Sequence, residues 1–216
     1  MVADLFEKGV YTRQDAKRML SFCSVSGPMF MVGTVGVAIF GSFKAGIIIL
    51  IANILASIFN GLIFRGKKQK NGESVIVESK NSNSILTDSV YDALISILLV
   101  GAYMTLAFLM IDLICSARFL TKPLELMGEN GNILKAILCG GIEITRGMIE
   151  LNNCLLPLKI KLIAASGLIG FGGICVIMQS FAFLKKLDIK FGFVILQKLV
   201  QGVLAAVFAS LIVLLV

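Results

Sequence analysis

The side chains most able to do chemistry in this sequence are three charged residues within the largely apolar stretch 133–152. Glu143, Arg146 and Glu150 are spaced three and four residues apart, so on a helix they would share one face. A charge at membrane depth costs at least about 2.5–3.5 kcal/mol unless it is paired or hydrated. Two carboxylates would neutralise Arg146 and leave a donor or acceptor for a solute or a coupling ion. A structural ion pair, or a segment at the membrane interface, explains the pattern equally well.

A second candidate group lies near the start of the apolar segment 21–43. Ser24, Ser26, Gly27 and Pro28 would interrupt a helix there, because proline lacks an amide donor and glycine costs about 1 kcal/mol in a helix. An interrupted helix exposes backbone amides at the start of its second half, where the helix dipole is positive. Those amides favour an anionic group such as a carboxylate, and the serine hydroxyls add further donors.

The segment 162–184 repeats this composition, and we expect a second helix break at its Ser166–Gly167 pair. The alternative is that these glycines only let neighbouring helices approach closely. Asn53 shares a helix face with Asn60, and this face is expected to look into the protein. Gln179 is a lesser candidate for the same cavity. The candidate solute-binding residues are therefore Ser24, Ser26, Gly27, Pro28, Asn53, Glu143, Arg146, Ser166, Gly167 and Gln179.

Catalytic and metal chemistry are not expected. Histidine is absent, which removes the commonest general base and the commonest metal ligand. The five cysteines are scattered through apolar sequence without a C-x-x-C pair, so we interpret them as buried structural residues. No nucleophile–base set remains. The sequence therefore predicts a protein that is not an enzyme and that binds no metal or cofactor.

Long runs without charged residues predict the class of protein. The chain is 57% hydrophobic and 15% charged with a mean hydropathy of +0.94, whereas soluble domains are about 45–50% apolar and about 25% charged. A helix that crosses the hydrocarbon core needs about 20 mostly apolar residues. The candidate stretches are residues 19–43, 45–64, 93–111, 162–184 and 191–216, with Lys198 as a single charge in the last. We expect an all-α, polytopic integral membrane protein with about five spanning segments, two of them broken.

The basic residues predict the orientation of the chain in the membrane. The net charge is +7, and the basic residues cluster in short loops, above all in residues 65–84. The positive-inside rule places this loop in the cytoplasm. A nucleotide or lipid-phosphate site is the alternative use of the loop. No basic face interleaved with aromatic residues is present, so the expected partner is the lipid bilayer and not nucleic acid.

We interpret residues 1–216 as one membrane domain. Its parts would be repeat unit one at about 1–64, the cytoplasmic loop 65–84, a connecting helix at 88–117 and repeat unit two at about 133–216. Residues 133–152 are too charged to cross the membrane as a free helix. The pair Gly140–Gly141 would divide them, which indicates a re-entrant hairpin or a helix shielded by the protein.

The two broken segments resemble each other. Ser26–Gly27 and Ser166–Gly167 are each followed at the same distance by a glycine, Gly33 and Gly173. With residues 65–84 inside, the two units would cross the membrane in opposite directions, as in an inverted repeat. Many secondary transporters build a solute site near the bilayer midplane from inverted repeats with broken helices.

Two longer stretches carry a resemblance to a known family. The run AKRMLSFCSVSGPMFMVGTVGVAIFG, and the later GIEITRGMIE followed by SGLIGFGGICVIMQSFAFLKK, resemble the YlbJ-type sporulation integral membrane proteins. The resemblance implies a gate-domain protein related in fold to nucleoside-recognition proteins. It also implies a bacterial cell membrane or outer forespore membrane, and the movement of dipicolinic acid toward the forespore. This solute is a small aromatic dicarboxylate, which agrees with helix breaks that favour anions.

The family also has an earlier membrane half with a Ser-Gly-Tyr-Pro-type motif, which this sequence lacks. The resemblance therefore implies a partner, either a missing N-terminal half or a second copy of the chain. Two functions are expected from these observations. One is a transporter or channel component for a small anionic solute. The alternative is a non-transporting membrane scaffold or assembly protein of a sporulation complex.

Overall fold

The computed structural model describes residues 13–64, 82–184 and 190–215, and the regular structure in these ranges is helical. The predicted cytoplasmic loop therefore lies almost entirely outside the described residues. The helices are α1 (Arg13–Cys23), a π-helix (Phe30–Ile39), α2 (Phe43–Ile63), α3 (Ser82–Ser116), α4 (Arg118–Leu126), α5 (Glu129–Ile142), α6 (Ile144–Asn153), α7 (Leu158–Phe171), α8 (Gly173–Leu184) and α9 (Phe191–Leu215).

Four described segments are long and apolar enough to cross a membrane: Phe43–Ile63, Ser89–Ser116, Leu158–Phe181 and Phe191–Leu215. This confirms an all-α integral membrane protein. The fifth expected span, residues 21–43, is divided into α1 and the π-helix, which have only 11 and 10 residues. Neither half reaches the length of about 20 residues that a single crossing helix needs.

The first break lies where the sequence predicts it. Residues 24–27 are not helical, and the chain re-enters a helix at Pro28. Proline suits the first turn because its missing N–H would have no partner there. The amides of Phe30 and Met31 both donate to the carbonyl oxygen of Gly27, at 3.0 and 3.2 Å, so the second half starts tightly.

The second break is not at Ser166–Gly167, so that prediction is wrong. Helix α7 continues through this pair and ends at Gly172, whose φ of +85° lies in the left-handed region, as does the φ of +67° at Gly173. Glycine adopts this conformation without steric cost, which explains the position of the break. Gly167 instead faces α9, where an added Cβ atom would lie 3.3 Å from the Cβ atom of Ala206.

The charged stretch forms a helical pair, α5 and α6, that pack against each other. The pair is divided at Glu143, with φ −140° and ψ 125°, and not at Gly140–Gly141. Gly140 remains helical, and its lack of a side chain allows α5 and α6 to approach each other closely. A Cβ atom on Gly147 would overlap the Cα atom of Gly140. The insertion of this hairpin into the membrane from one side stays a prediction.

We expect Gly147→Ala to separate α5 from α6 and to destabilise the protein by roughly 1–3 kcal/mol, since the added methyl has no room. The measurement is the melting temperature in detergent. Gly141→Ala is the matched control, because nothing lies within 4 Å of its Cβ position. Equal melting temperatures for the two variants would show that the hairpin contact contributes little to stability.

The buried core lies where α2, the π-helix and α5–α7 meet, with α9 covering one side. Its fully buried members include Met31, Val35, Ile49, Met148, Leu151 and Ala165. Helix α3 is peripheral by comparison. In the most apolar part of α3 only 11% of the residues are buried inside the protein, whereas 50% are buried in the corresponding part of the span Leu158–Phe181. Most of the α3 surface is therefore left for contact with lipid or with another membrane segment.

Candidate functional site

The two helix breaks meet at one buried cation, Lys198. This residue lies on α9, within the last membrane span, and its exposure is 6%. Its Nζ atom donates to the carbonyl oxygen of Ser24, in the first break, at 2.6 Å. The same atom lies 3.8 Å from the Cβ position of Gly172, in the second break. The lysine therefore bonds to one interruption and lies beside the other, although the two are far apart in the sequence.

The ammonium group of Lys198 is surrounded by neutral partners. Its second acceptor is the side-chain oxygen of Gln201, at 3.3 Å. Among the residues that the structure describes, no carboxylate lies within ion-pair distance of it. An ionisable residue buried in a membrane span is costly, so its presence is by itself a hypothesis of function. An uncompensated positive charge attracts an anion.

Polar side chains around Lys198 occupy the carboxyl end of α1. The last carbonyls of a helix have no partner inside the helix. Here Asn60 Nδ2 donates to the oxygen of Ser21 at 3.4 Å, and Ser57 Oγ donates to the oxygen of Phe22 at 3.2 Å. Gln201 Nε2 adds a second bond to Ser24, at 3.2 Å.

Gln197 completes this group by donating to the hydroxyl of Ser21. The carbonyl end of α1 thus faces Lys198, whose charge offsets the negative end of this helix dipole, and Gly172, which ends α7, lies beside the same ammonium group. The positive ends belong to the second halves, which begin at Pro28 and Gly173.

The helices that follow the two breaks, the π-helix and α8, differ in how accessible their first residues are. At the first break Ser26 is half-buried and Gly27 and Pro28 are exposed, so the start of the π-helix is accessible. At the second break Gly173 is buried, and its Cβ position lies 3.1 Å from the oxygen of Ile142. The end of α5 therefore covers the start of α8. An anion would reach the amides of the first break more readily.

The π-helix of the first broken segment and α7 of the second run in opposite directions. Their breaks both approach Lys198, while the far end of the π-helix meets the beginning of α7. There Asn152, shortly before α7, donates from Nδ2 to the oxygen of Ile39 at 2.9 Å. The breaks nevertheless occur at different places relative to the two Ser-Gly pairs. The predicted internal duplication stays a prediction.

Asn53 and Asn60 face inward as expected, with an exposure of 1% each. Asn53 Nδ2 donates to the oxygen of Ile49 at 3.0 Å and to that of Ser166 at 3.5 Å, so it ties α2 to α7. The hydroxyl of Ser166 is fully buried and has no hydrogen-bond partner among the described residues. These side chains are placed in the packed interior beside the breaks.

The charged triplet is only partly as predicted. Arg146 and Glu150 pair at 3.6 Å, four residues apart on α6. Glu143 is not on that helix face: it precedes the helix, and its carboxylate accepts from the amides of Thr145 and Arg146 at 3.0 and 2.8 Å. A carboxylate at this position stabilises the positive end of the helix.

The second carboxylate partner of Arg146 is Asp112 of α3, at 3.7 Å. Lys135 of α5 pairs with Glu150 at 3.2 Å. The charges on the hairpin therefore form a compensated network that links α3, α5 and α6. Gln179 lies apart from this network on α8, half-buried, and donates to the sulfur of Cys175 at 3.3 Å.

Sequence reasoning missed Lys198, Gln197 and Gln201. A signal was present, because Lys198 is the single charged residue in the run 191–216. A lone charge in an apolar span nearly always faces the protein interior or a hydrated cavity. The hydrogen-bond partner of Lys198 could not be inferred from the sequence, since Ser24 is 174 positions away.

The sequence is similar to the sporulation integral membrane protein YlbJ of Bacillus subtilis (strain 168), at 27% identity over 241 aligned residues. The match covers 98% of this chain and 59% of that relative, so the chain spans less than two thirds of the relative's length. The resemblance seen in the sequence is thereby confirmed. No protein-family model matches the chain, and no solved structure matches it.

Proposed function

We propose that this chain, which is related over nearly its whole length to a sporulation integral membrane protein, forms part of a membrane pathway for a small anionic solute. The observation that carries the proposal is Lys198, a buried cation without a described counter-charge at the meeting point of two helix breaks. A site of this kind compensates the desolvation of an anion inside the bilayer. The role is transport and not catalysis.

Opposite directions of the two broken segments support an inverted arrangement of two repeat units. In such transporters the solute lies between the broken helices, near the bilayer midplane. The anion would bind between Lys198 and the accessible start of the π-helix at Gly27–Pro28. Arg146 has a smaller part in this proposal than the sequence suggests, because two carboxylates already compensate its charge.

Dipicolinic acid is the proposed solute, and the movement is toward the forespore. The relative's name places it in sporulation, and the substrate itself follows from the family resemblance. A second cationic or amide-rich subsite is needed for the second carboxylate of this solute. The positive end of the helix that begins at Pro28 and the ammonium of Lys198 supply two such groups.

The proposed membrane is the bacterial cell membrane or the outer forespore membrane, with residues 65–84 in the cytoplasm. Phe64, at the end of α2, contacts Phe193, at the start of α9, with ring centroids 5.7 Å apart. These two helix ends therefore lie on the same side of the membrane. The basic segments adjoining them, 65–70 and 185–190, would then both be cytoplasmic, as the positive-inside rule requires.

A non-transporting scaffold is the second candidate. It is favoured by the fact that Lys198 caps the carbonyl of Ser24, which is a structural task. In that case the exposed apolar surface of α3 would serve assembly with another membrane segment or with a second copy of the chain. The two functions differ in whether solute crosses the membrane.

Uptake into proteoliposomes separates them. We expect saturable uptake of radiolabelled dipicolinate that is inhibited by other aromatic dicarboxylates but not by a neutral nucleoside. The assay is run with this chain alone and with the remaining membrane part of the relative co-reconstituted. Liposomes without protein give the background. Absence of uptake above this background in both preparations would support the scaffold.

A further inference from the structure

Two cysteines lie together at the joint between α3 and the α5–α6 hairpin. Helix α3 packs against α5, and this packing brings Cys115 of α3 to the same cleft as Cys139 of α5. Both line a small apolar cleft closed by α4, together with Lys135, Thr121 and Leu124. Cys115 is half-buried and Cys139 is 5% exposed. Neither residue has a part in the pathway proposed above.

We infer that Cys115 and Cys139 form an oxidisable thiol pair, and that their disulfide fastens α3 to the hairpin. This pairing has no signature in the sequence, because 23 residues separate the two cysteines and they form no C-x-x-C motif. Their proximity arises only from the packing of α3 against α5. The site is a modification site distinct from the helix breaks.

The position of the pair makes its oxidation consequential. Helix α3 is mostly exposed, and its described ionic tie to the hairpin is the Asp112–Arg146 pair at 3.7 Å. Cys115 lies three residues after Asp112, one helical turn along the same helix. A covalent bond there would hold the end of α3 against the hairpin without help from this weak and exposed ion pair.

The compartment suits the chemistry. Cys115 is at the opposite end of α3 from residues 65–84, so on the proposed topology it faces the non-cytoplasmic side, where disulfides persist. This compartment rests on the proposed topology, whereas the pairing of the two thiols does not. The pairing is therefore testable in purified protein.

The reaction is thiol–disulfide exchange with an oxidant of the disulfide class. The Cys115 thiolate attacks the oxidant RSSR, forms a mixed disulfide and releases RS⁻. Cys139 then gives its proton to RS⁻ and attacks the Cys115 sulfur, which releases a second RS⁻. Two protein thiols are oxidised and one RSSR is reduced to two RSH. Cys115 is more exposed than Cys139, so it is the thiol that reacts with the oxidant first.

The test uses residues 1–216 purified in detergent, treated with dithiodipyridine, alkylated with maleimide and digested for mass spectrometry. We expect a peptide that links Cys115 to Cys139 within one chain and the loss of two alkylatable thiols out of five. Dithiothreitol should reverse both changes. Oxidised protein should also melt at a higher temperature than reduced protein.

Cys115→Ser and Cys139→Ser should each abolish the linked peptide, whereas the matched control Cys154→Ser should retain it. Equal melting temperatures of the three reduced variants would show that all of them fold. A linkage to a different cysteine, linkage only between two chains, or no linkage in the folded protein would overturn the inference.

Discussion

Replacing Lys198 with Met is expected to remove most solute uptake and, at the same time, to raise the melting temperature of the protein. A hydrogen bond to a charged group contributes about 1.5–3 kcal/mol, which corresponds to a loss of roughly ten- to a hundredfold in affinity for the anion. Burial of an ammonium is itself costly, so an apolar side chain of similar length should stabilise the folded state. A loss of uptake together with a higher melting temperature would identify Lys198 as a functional residue and not a structural one.

Lys159→Met is the matched control for this variant. Lys159 also donates to a backbone carbonyl, the oxygen of Val213 at 3.2 Å, but it lies exposed at the beginning of α7, away from both breaks. We expect its uptake to stay near that of the unchanged protein. If Lys198→Met instead transported normally and melted at a lower temperature, Lys198 would be a helix cap and the anion pathway would lose its main support.

Gly36→Ala is expected to separate the π-helix from α2 and to destabilise the protein by roughly 1–3 kcal/mol. A Cβ atom on Gly36 would overlap the Cα atom of Gly46, and one on Gly46 would lie 2.7 Å from the Cα atom of Val32. The two backbones are therefore in direct contact. Since the π-helix is the second half of the first break, its displacement should also lower uptake.

Gly33→Ala is the control for this contact, one turn earlier on the same helix. The nearest atom to its Cβ position is the sulfur of Met29 at 3.5 Å, an ordinary contact. Replacing glycine by alanine there should be neutral or slightly stabilising, by up to about 1 kcal/mol. Thermal melting of both variants in detergent measures the difference. Equal stability of the two would mean that the π-helix is free to shift away from α2.

Local sequence was enough to predict the first break but not the second. Pro28 and its neighbours interrupt a helix by their own backbone chemistry, and the structure breaks there. Ser166–Gly167 has a similar composition yet remains helical, because a serine or glycine can be accommodated in a helix that packs closely on another. The break falls at Gly172–Gly173, where the chain turns through left-handed backbone.

For the charged residues, too, local sequence predicted some contacts, and others depended on tertiary packing. Spacing correctly predicted the pair Arg146–Glu150, because residues four apart on a helix are neighbours whatever the fold. It could not predict that Glu143 precedes the helix and caps it, because the Gly140–Gly141 pair favours an earlier division of the hairpin. Nor could it predict Asp112 as a partner, which depends on the packing of α3 beside α6.

The sequence by itself determined that this is a helical membrane protein with one interrupted span, and that it resembles a sporulation membrane protein. Hydropathy, proline and short spacings act within a single segment, so they can be read without knowing the fold. The tertiary structure alone decided that Lys198 lies beside both breaks, that Asp112 compensates Arg146, and that Cys115 and Cys139 line one cleft. These contacts form between helices distant in the chain, where close packing, and not any local preference, selects the partner.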